Sequence, residues 1–183
     1  MSSVLSGVIY PVYQPVFDLR SHRILYYEAL LRLYTDTSET LYPSFLQIAE
    51  TTGMIRHLDA EMLSQVLYQL QQSACVIAAN VSVCTIESAG QELLDIIAAA
   101  GQSVASRLVI EITETLPFVR RDIAFDFCEE VRGLGTAIAL DDFGAGNFSN
   151  TDIEELRPHY VKLDGSQVTK GLRSKNVHAF ADL

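Results

Sequence analysis

The amino-acid sequence predicts an α/β protein with a largely parallel sheet, and three observations carry that prediction. Apolar runs alternate along the chain with segments of helical period, the order expected of successive β/α units. The later runs, VIAANVS, LVIEITE and AIALDDFG, are near-continuously apolar, as strands buried on both faces are. Five runs also end in residues suited to binding metals or moving protons: Glu28, Asn80, Glu111, the pair Asp141 and Asp142, and Lys162. The spacings are 52, 31, 30 and 21 positions, counting Asp141 for the pair. A strand, its helix and the return loop take about 30 residues. The polar residues therefore stand at strand carboxyl ends, where α/β proteins build their sites.

Residues 8–17 and 24–33 flank the turn-like DLRSHR and read as a hairpin. Residues 43–53 and 58–72 are helical by period, with Ile48, Leu58, Met62, Val66 and Leu70 on core faces and Gly53 between the helices. A strand over 76–82 is followed by a helix near 88–100, whose start, Ser88 to Gln91, fits a capping box and which stops at Gly101. The strand 107–112 leads to a helix opened by Pro117 and closed by Gly133 and Gly135. The strand 136–141 meets the turn FGAGN, a short helix runs from Ser149 to Leu156, and Pro158 stops it. The strand 160–164 and an amphipathic stretch over 166–182 end the chain. This gives about six strands, whereas a closed (β/α) barrel needs eight and about 250 residues. The expectation is an incomplete, TIM-like barrel.

Composition narrows the function. A length of 183 residues suits one domain. A net charge of -10 and a pI of about 4.7 argue against binding duplex nucleic acid, which rests on basic patches. Cys75, Cys84 and Cys128 are odd in number and widely spaced, so neither a disulfide framework nor a zinc knuckle is expected. No stretch reaches the roughly 18 apolar residues of a membrane span, and the start MSSVLSGVIYPVY lacks the basic region of a signal peptide. A cytoplasmic domain is expected. Asp142-Phe143-Gly144 copies the kinase DFG, but no HRD accompanies it. Gly144 and Gly146 lack the GK[ST] of a P-loop. Carboxylates with an amide carbonyl suit a hard divalent cation. Left without one, two carboxylates about 4 Å apart repel by roughly 4 kcal/mol at an effective dielectric of 20.

YQPV at 13–16, YYEALLR at 26–32, NVS at 80–82, EITET at 111–115, DDFGAG at 141–146 and KLD at 162–164 occur together and in this order. In these motifs the chain resembles the EAL domain family, bacterial phosphodiesterases that hydrolyse cyclic di-GMP to the linear dinucleotide pGpG. The resemblance spans nearly the whole chain. It implies Mg²⁺ or Mn²⁺ as cofactor, with Glu28, Asn80, Glu111 and Asp141 as ligands of a first ion, and Asp142 as a ligand of a second that Asp141 bridges. It further implies that Lys162 touches the attacking water and that Glu114 steadies the DDFGAG loop. Gln14 and Arg32 would contact the substrate, Arg32 at a phosphate.

The chain departs from the family pattern at Asn147, Asn150 and Gly165, and lacks the family's later AEGVE-like and QGY-like motifs. The expectation is therefore an EAL-type domain over 1–183 without its last two β/α units, with little or no activity alone. The alternative is a non-catalytic module that binds cyclic di-GMP or a protein partner. Sensor or cyclase domains are expected in a longer parent. The missing strands would uncover interior side chains such as Val161 and Leu163 and favour a homodimer.

Overall fold

The computed structural model describes residues 8–18, 20–35, 38–40, 43–113, 118–145, 148–165 and 169. The strand β1 (Val8–Asp18) pairs antiparallel with β2 (Arg23–Thr35), and β3 (Ser38–Thr40) pairs with the far end of β2. Two helices follow, α1 (Pro43–Thr51) and α2 (Ile55–Gln72). The remaining elements are β4 (Ile77–Ser82), α3 (Val83–Ala100), the single turn α4 (Gln102–Ala105), β5 (Leu108–Thr113), α5 (Arg121–Gly133), β6 (Ala137–Phe143), α6 (Asn150–Leu156) and β7 (Tyr160–Leu163). The sheet order is β1-β2-β4-β5-β6-β7, parallel from β2 onward. Among the described residues β7 does not pair with β1, so the sheet is an incomplete barrel, as expected.

Strand register carries the barrel's signature. Glu28 lies level with Ala78, two residues before Asn80; Asn80 lies level with Glu111; and Glu111 lies level with Ala139, two residues before Asp141. Leu140 is level with Val161, each one residue before its polar neighbour. The site residues thus climb four positions over four strand pairs. One residue per strand is the stagger of an eight-stranded barrel of shear 8, and the strand tilt brings these steps back to one height.

Alternation within the strands separates two cores. Ile77, Ala79, Val81, Leu108, Ile110, Ile112, Ile138 and Leu140 face the helices and join Leu63, Val66, Leu67 and Leu70 of α2. Tyr26, Ala78, Val109 and Ala139 face the other way and form the barrel's interior layer with Tyr160. Lys162 points inward with Tyr160, so Val161 and Leu163 belong to the outer face. The expectation that they line the interior is reversed, because strand side chains alternate.

The other corrections are local. Ile48 is 59% exposed, while Ala49 is buried and Phe45 and Leu46 are half-buried. A residue one position along a helix is rotated by about 100°, which turns Ile48 away from the face that Ala49 presents. The helix α3 starts at Val83, not near Ser88. Ser82 is its cap, its hydroxyl accepting the Thr85 N–H at 3.1 Å. Ser88 donates to the Cys84 carbonyl at 2.6 Å inside the helix, which breaks at Ala89. A Cβ at the next residue, Gly90, would meet the Phe127 ring at 3.2 Å, so glycine permits this close packing of α3 on α5. The helix α5 starts at Arg121, and Pro117 lies outside the described residues, as does the stretch 166–182 apart from Thr169. Neither β3 nor α4 is visible in the sequence pattern.

Three ties hold the strand-end loops. Asp59 of α2 is buried, and its Oδ2 accepts the Ser82 N–H at 3.0 Å and the Thr85 hydroxyl at 2.5 Å, two residues beyond Asn80. Glu87 Oε1 accepts the N–H groups of Val119 and Arg120, both at 2.8 Å, at the entrance to α5. Phe118 stacks on Phe148, ring centroids 5.5 Å apart, joining the loops that leave β5 and β6. Beside that stack, Arg121 of α5 reaches Asp152 of α6 at 2.7 Å and Glu155 at 3.1 Å. Asp152 also completes a capping box, accepting the Ser149 N–H and hydroxyl, both at 2.6 Å.

Asp152 is 2% exposed and Arg121 is 49% exposed. Arg121→Ala should therefore cost about 1–2 kcal/mol in urea denaturation, since it leaves a buried carboxylate without its cation. Glu155→Ala, on the exposed limb, should cost less than about 0.5 kcal/mol. Equal losses would show that the buried limb adds nothing.

Burial pushes the Asp59 carboxyl up to about 6, against the opposing pull of the Thr85 and Ser82 hydrogen bonds. The unfolded carboxyl titrates near 3.9, so between these values the folded state binds more protons. This group's contribution is complete below about pH 4 and lost as pH rises through about 6. The stability difference between wild type and Asp59→Asn should fall by about 3 kcal/mol over that window. A difference that stays flat with pH would contradict the assignment.

Candidate metal centre

The inward faces of five strands, β2 and β4 to β7, deliver polar side chains to one point. Glu28 on β2, Glu111 on β5 and Asp141 on β6 each place a carboxylate oxygen within 4.8 Å of the other two. From β7, Lys162 Nζ sits among them, 3.0 Å from Glu28 Oε2, 2.9 Å from Glu111 Oε2 and 3.0 Å from Asp141 Oδ2. Asn80 on β4 joins the group by donating from Nδ2 to Glu28 Oε1 at 3.2 Å. The structure thus brings together Glu28, Asn80, Glu111, Asp141 and Lys162.

The remaining sequence candidates lie around this point. Asp142 is exposed, one residue past the cluster, at a register shift in β6. Its φ of +54 is a left-handed conformation that costs a non-glycine residue about 1 kcal/mol or more. Its N–H bonds Asp141 Oδ1 at 2.9 Å, which orients the carboxylate of its neighbour. Gln14 lies directly opposite Glu28 in the β1–β2 pair, and its side chain is exposed. Arg32 stands four residues beyond Glu28 on the same face of β2, about 13 Å along the strand, and donates to the Leu31 carbonyl at 2.9 Å. Glu114 lies outside the described residues.

Electrostatics set the character of the centre. Glu111 is fully buried, and burial raises its carboxyl above the ordinary range while the Lys162 charge draws it back. For Lys162, burial disfavours the ammonium, but the charges of Glu111, Asp141 and Glu28 outweigh it and hold the pKa above its usual value. The ammonium is therefore charged at any working pH. Glu111 Oε1 is buried without a hydrogen-bond partner. An orphaned carboxylate oxygen is costly, and three carboxylates with an amide beside them are the hard oxygen donors that fit a divalent cation.

Tyr26 is a member of the site that the sequence did not single out. Its phenol is pushed well above the usual range, first by burial and then by the negative charge of Glu111 beside it. The available signal is its position two residues before Glu28, which alternation assigns to the same inward face. Its ring packs against Tyr160, two residues before Lys162, with centroids 5.6 Å apart. Beside Asn80 and Asp142 opens a cavity of about 260 Å³, walled by Leu30, Leu46, Asp59 and Met62 among others.

This architecture has close counterparts. Over 164 residues the chain is 32% identical to the cyclic di-GMP phosphodiesterase PdeB of Shewanella oneidensis, a match covering 84% of this chain and 19% of that protein. Its fold matches the S helix-GGDEF-EAL portion of LapD from Vibrio cholerae with a TM-score of 0.76 at 25% identity, covering 85% of this chain and 39% of that one. The phosphodiesterase PaMucR, solved as a c-di-GMP complex, matches with a TM-score of 0.69 at 29% identity, covering 85% and 69%. The chain spans between about a fifth and about half the length of the curated relatives it matches. The family model described as EAL domain matches residues 2–183. With that match and this fold, the chain belongs to the EAL domain family.

Proposed function

We propose that this chain carries the catalytic centre of a cyclic di-GMP phosphodiesterase that yields pGpG, with Mg²⁺ or Mn²⁺ as cofactor. One observation supports it above all. Three carboxylate groups, Glu28, Glu111 and Asp141, each place an oxygen within 4.8 Å of the others on the inward face of the sheet, and Glu111 Oε1 is buried without a hydrogen-bond partner. PdeB and PaMucR, named as phosphodiesterases, add support from likeness.

Glu28, Glu111 and Asp141 would hold the first cation with Asn80, whose amide would give up its bond to Glu28 to offer its oxygen. A bound divalent cation would acidify water and neutralise charge on the phosphodiester. Lys162 supplies an ammonium, suited to stabilising negative charge that develops in displacement. Arg32 stands beyond the carboxylates on the same face, where a guanidinium fork suits a phosphate. Gln14, level with Glu28 on the neighbouring strand, offers an amide to a base or sugar. Asp142 would serve a second cation, and Glu114 would brace its loop.

We further propose that two more β/α units complete the barrel and the second cation's ligands, and that the protein works in the cytoplasm. The chain alone would bind cyclic di-GMP weakly, turn it over little, and self-associate along the edges that β7 and β1 leave unpaired among the described residues.

The test is hydrolysis of cyclic di-GMP, followed as pGpG, by the chain extended through those two units with Mg²⁺ or Mn²⁺ present. Turnover is expected, and Glu28→Ala and Lys162→Ala should each lower kcat by about 10²-fold or more. A folded, metal-loaded extended protein that binds the dinucleotide without cleaving it would replace this reading with that of a non-catalytic receptor.

A further inference from the structure

The point on which the three carboxylates converge is filled by the chain's own cation. Lys162 Nζ is almost equidistant from Glu28, Glu111 and Asp141, at 2.9–3.0 Å. Its strand is held in that orientation by the packing of Tyr160 on Tyr26 one step lower on the inward face. The lysine comes from a part of the sequence 134 positions away from Glu28, so this contact is made by the fold and not by local chain geometry.

We propose that Lys162 is the resident counter-ion of the acidic cluster and competes with the divalent cation for it, so that the cation enters by displacing the ammonium. This rests on the reading that the cluster binds such a cation. Space gives the first reason. Mg²⁺ holds oxygens at about 2.0–2.1 Å, whereas the ammonium keeps Glu28 Oε2, Glu111 Oε2 and Asp141 Oδ2 2.9–3.0 Å from its nitrogen, so a cation that takes these three oxygens cannot share their centre with it. Charge gives the second: an ammonium and a divalent ion repel strongly at such range in a partly buried site.

The same contacts explain why the lysine waits there. Without it, three carboxylates, one of them fully buried, would face one another uncompensated. The ammonium keeps the strand ends together until the cation arrives. Once displaced, the ammonium stays tethered beside the cluster, where it can act on water and on developing negative charge. Counter-ion and catalytic group are then two successive positions of one side chain. A lysine that merely braced the ligands would behave in the opposite way, and its removal would weaken cation binding.

The experiment measures Mn²⁺ binding to the 183-residue chain by electron paramagnetic resonance of the free ion, with melting temperatures taken with and without Mn²⁺. Wild type, Lys162→Met and Lys162→Arg are compared. Lys162→Met should bind Mn²⁺ about tenfold or more tighter than wild type. Without metal its melting temperature should fall by about 4 °C or more, and saturating Mn²⁺ should restore it. Lys162→Arg, which keeps the charge, should gain no affinity and melt close to wild type. If Lys162→Met is unfolded without metal, Mn²⁺ should fold it, and failure to do so would overturn the proposal. So would Mn²⁺ binding by Lys162→Met that is equal to or weaker than that of a wild type that binds. Absence of Mn²⁺ binding by all three proteins would instead remove the metal reading itself, and this proposal with it.

Discussion

Glu111 has no solvent exposure, yet its carboxylate sits at the centre of the inward face, and the arrangement around it answers that one electrostatic problem. An ion taken out of water costs several kcal/mol unless it is paired and hydrogen-bonded. Here the pairing group comes from the last described strand, so neutralising Glu111 requires β2, β5, β6 and β7 to be in register together. The charge cluster therefore couples strands distant in sequence. A slip of one residue in β7 would turn Lys162 to the helical side and leave Glu111 buried with no cation. The four-residue climb from Glu28 to Lys162 is the geometric form of the same constraint, because only a tilted, staggered sheet brings these side chains to one height.

The loops beyond the strands are held by a second set of polar contacts that never touch the cluster. Asp59 fixes the turn after Asn80, Glu87 fixes the entrance to α5, and the Arg121–Asp152 pair with the Phe118–Phe148 stack fixes the loop after Asp142. Each joins a helix or loop to its neighbour around the sheet, so the rim is continuous from α2 to α6. Ligand geometry demands tolerances well below the freedom of an isolated loop. A half-buried carboxylate accepting two backbone N–H groups, as Glu87 does, removes that freedom without filling the site.

Much of this was legible in the sequence, for identifiable reasons. Buried parallel strands record themselves as apolar runs, so β4, β5 and β6 were placed within a residue or two, and the polar residues at their ends stood out. The hairpin was legible because its strands flank a polar turn. What was missed depends on relations between elements. Ser82 was hidden as a cap because it is also the last residue of a strand, while Ser88 offered a better local match to a capping pattern and lies mid-helix. Ile48 was misplaced because period alone does not say which face of a nine-residue helix meets its neighbour. Val161 and Leu163 were assigned to the interior on hydrophobicity, although Lys162 between them already implied by alternation that they face outward. That Lys162 would gather with the carboxylates was legible from their shared strand-end placement, whereas its direct ion pairs with all three were not, since these rest on register across strands that share no local signal.

The interior layer beneath the charges completes the physical picture. Tyr26, Ala78, Val109, Ala139 and Tyr160 form a floor of small and aromatic side chains directly below the carboxylates. Ala78 and Ala139 leave room for the tyrosine rings, and the rings exclude water from the underside of Glu111. Removing water on that side raises the cost of the carboxylate's charge and, by the same physics, strengthens its attraction for any cation that reaches it. The upper side stays open, with Asp142 and Gln14 exposed at the mouth. Burial of Glu111 is thus costly for the fold and useful for function through one and the same field, and Lys162 lets the chain carry that field before any ligand is bound.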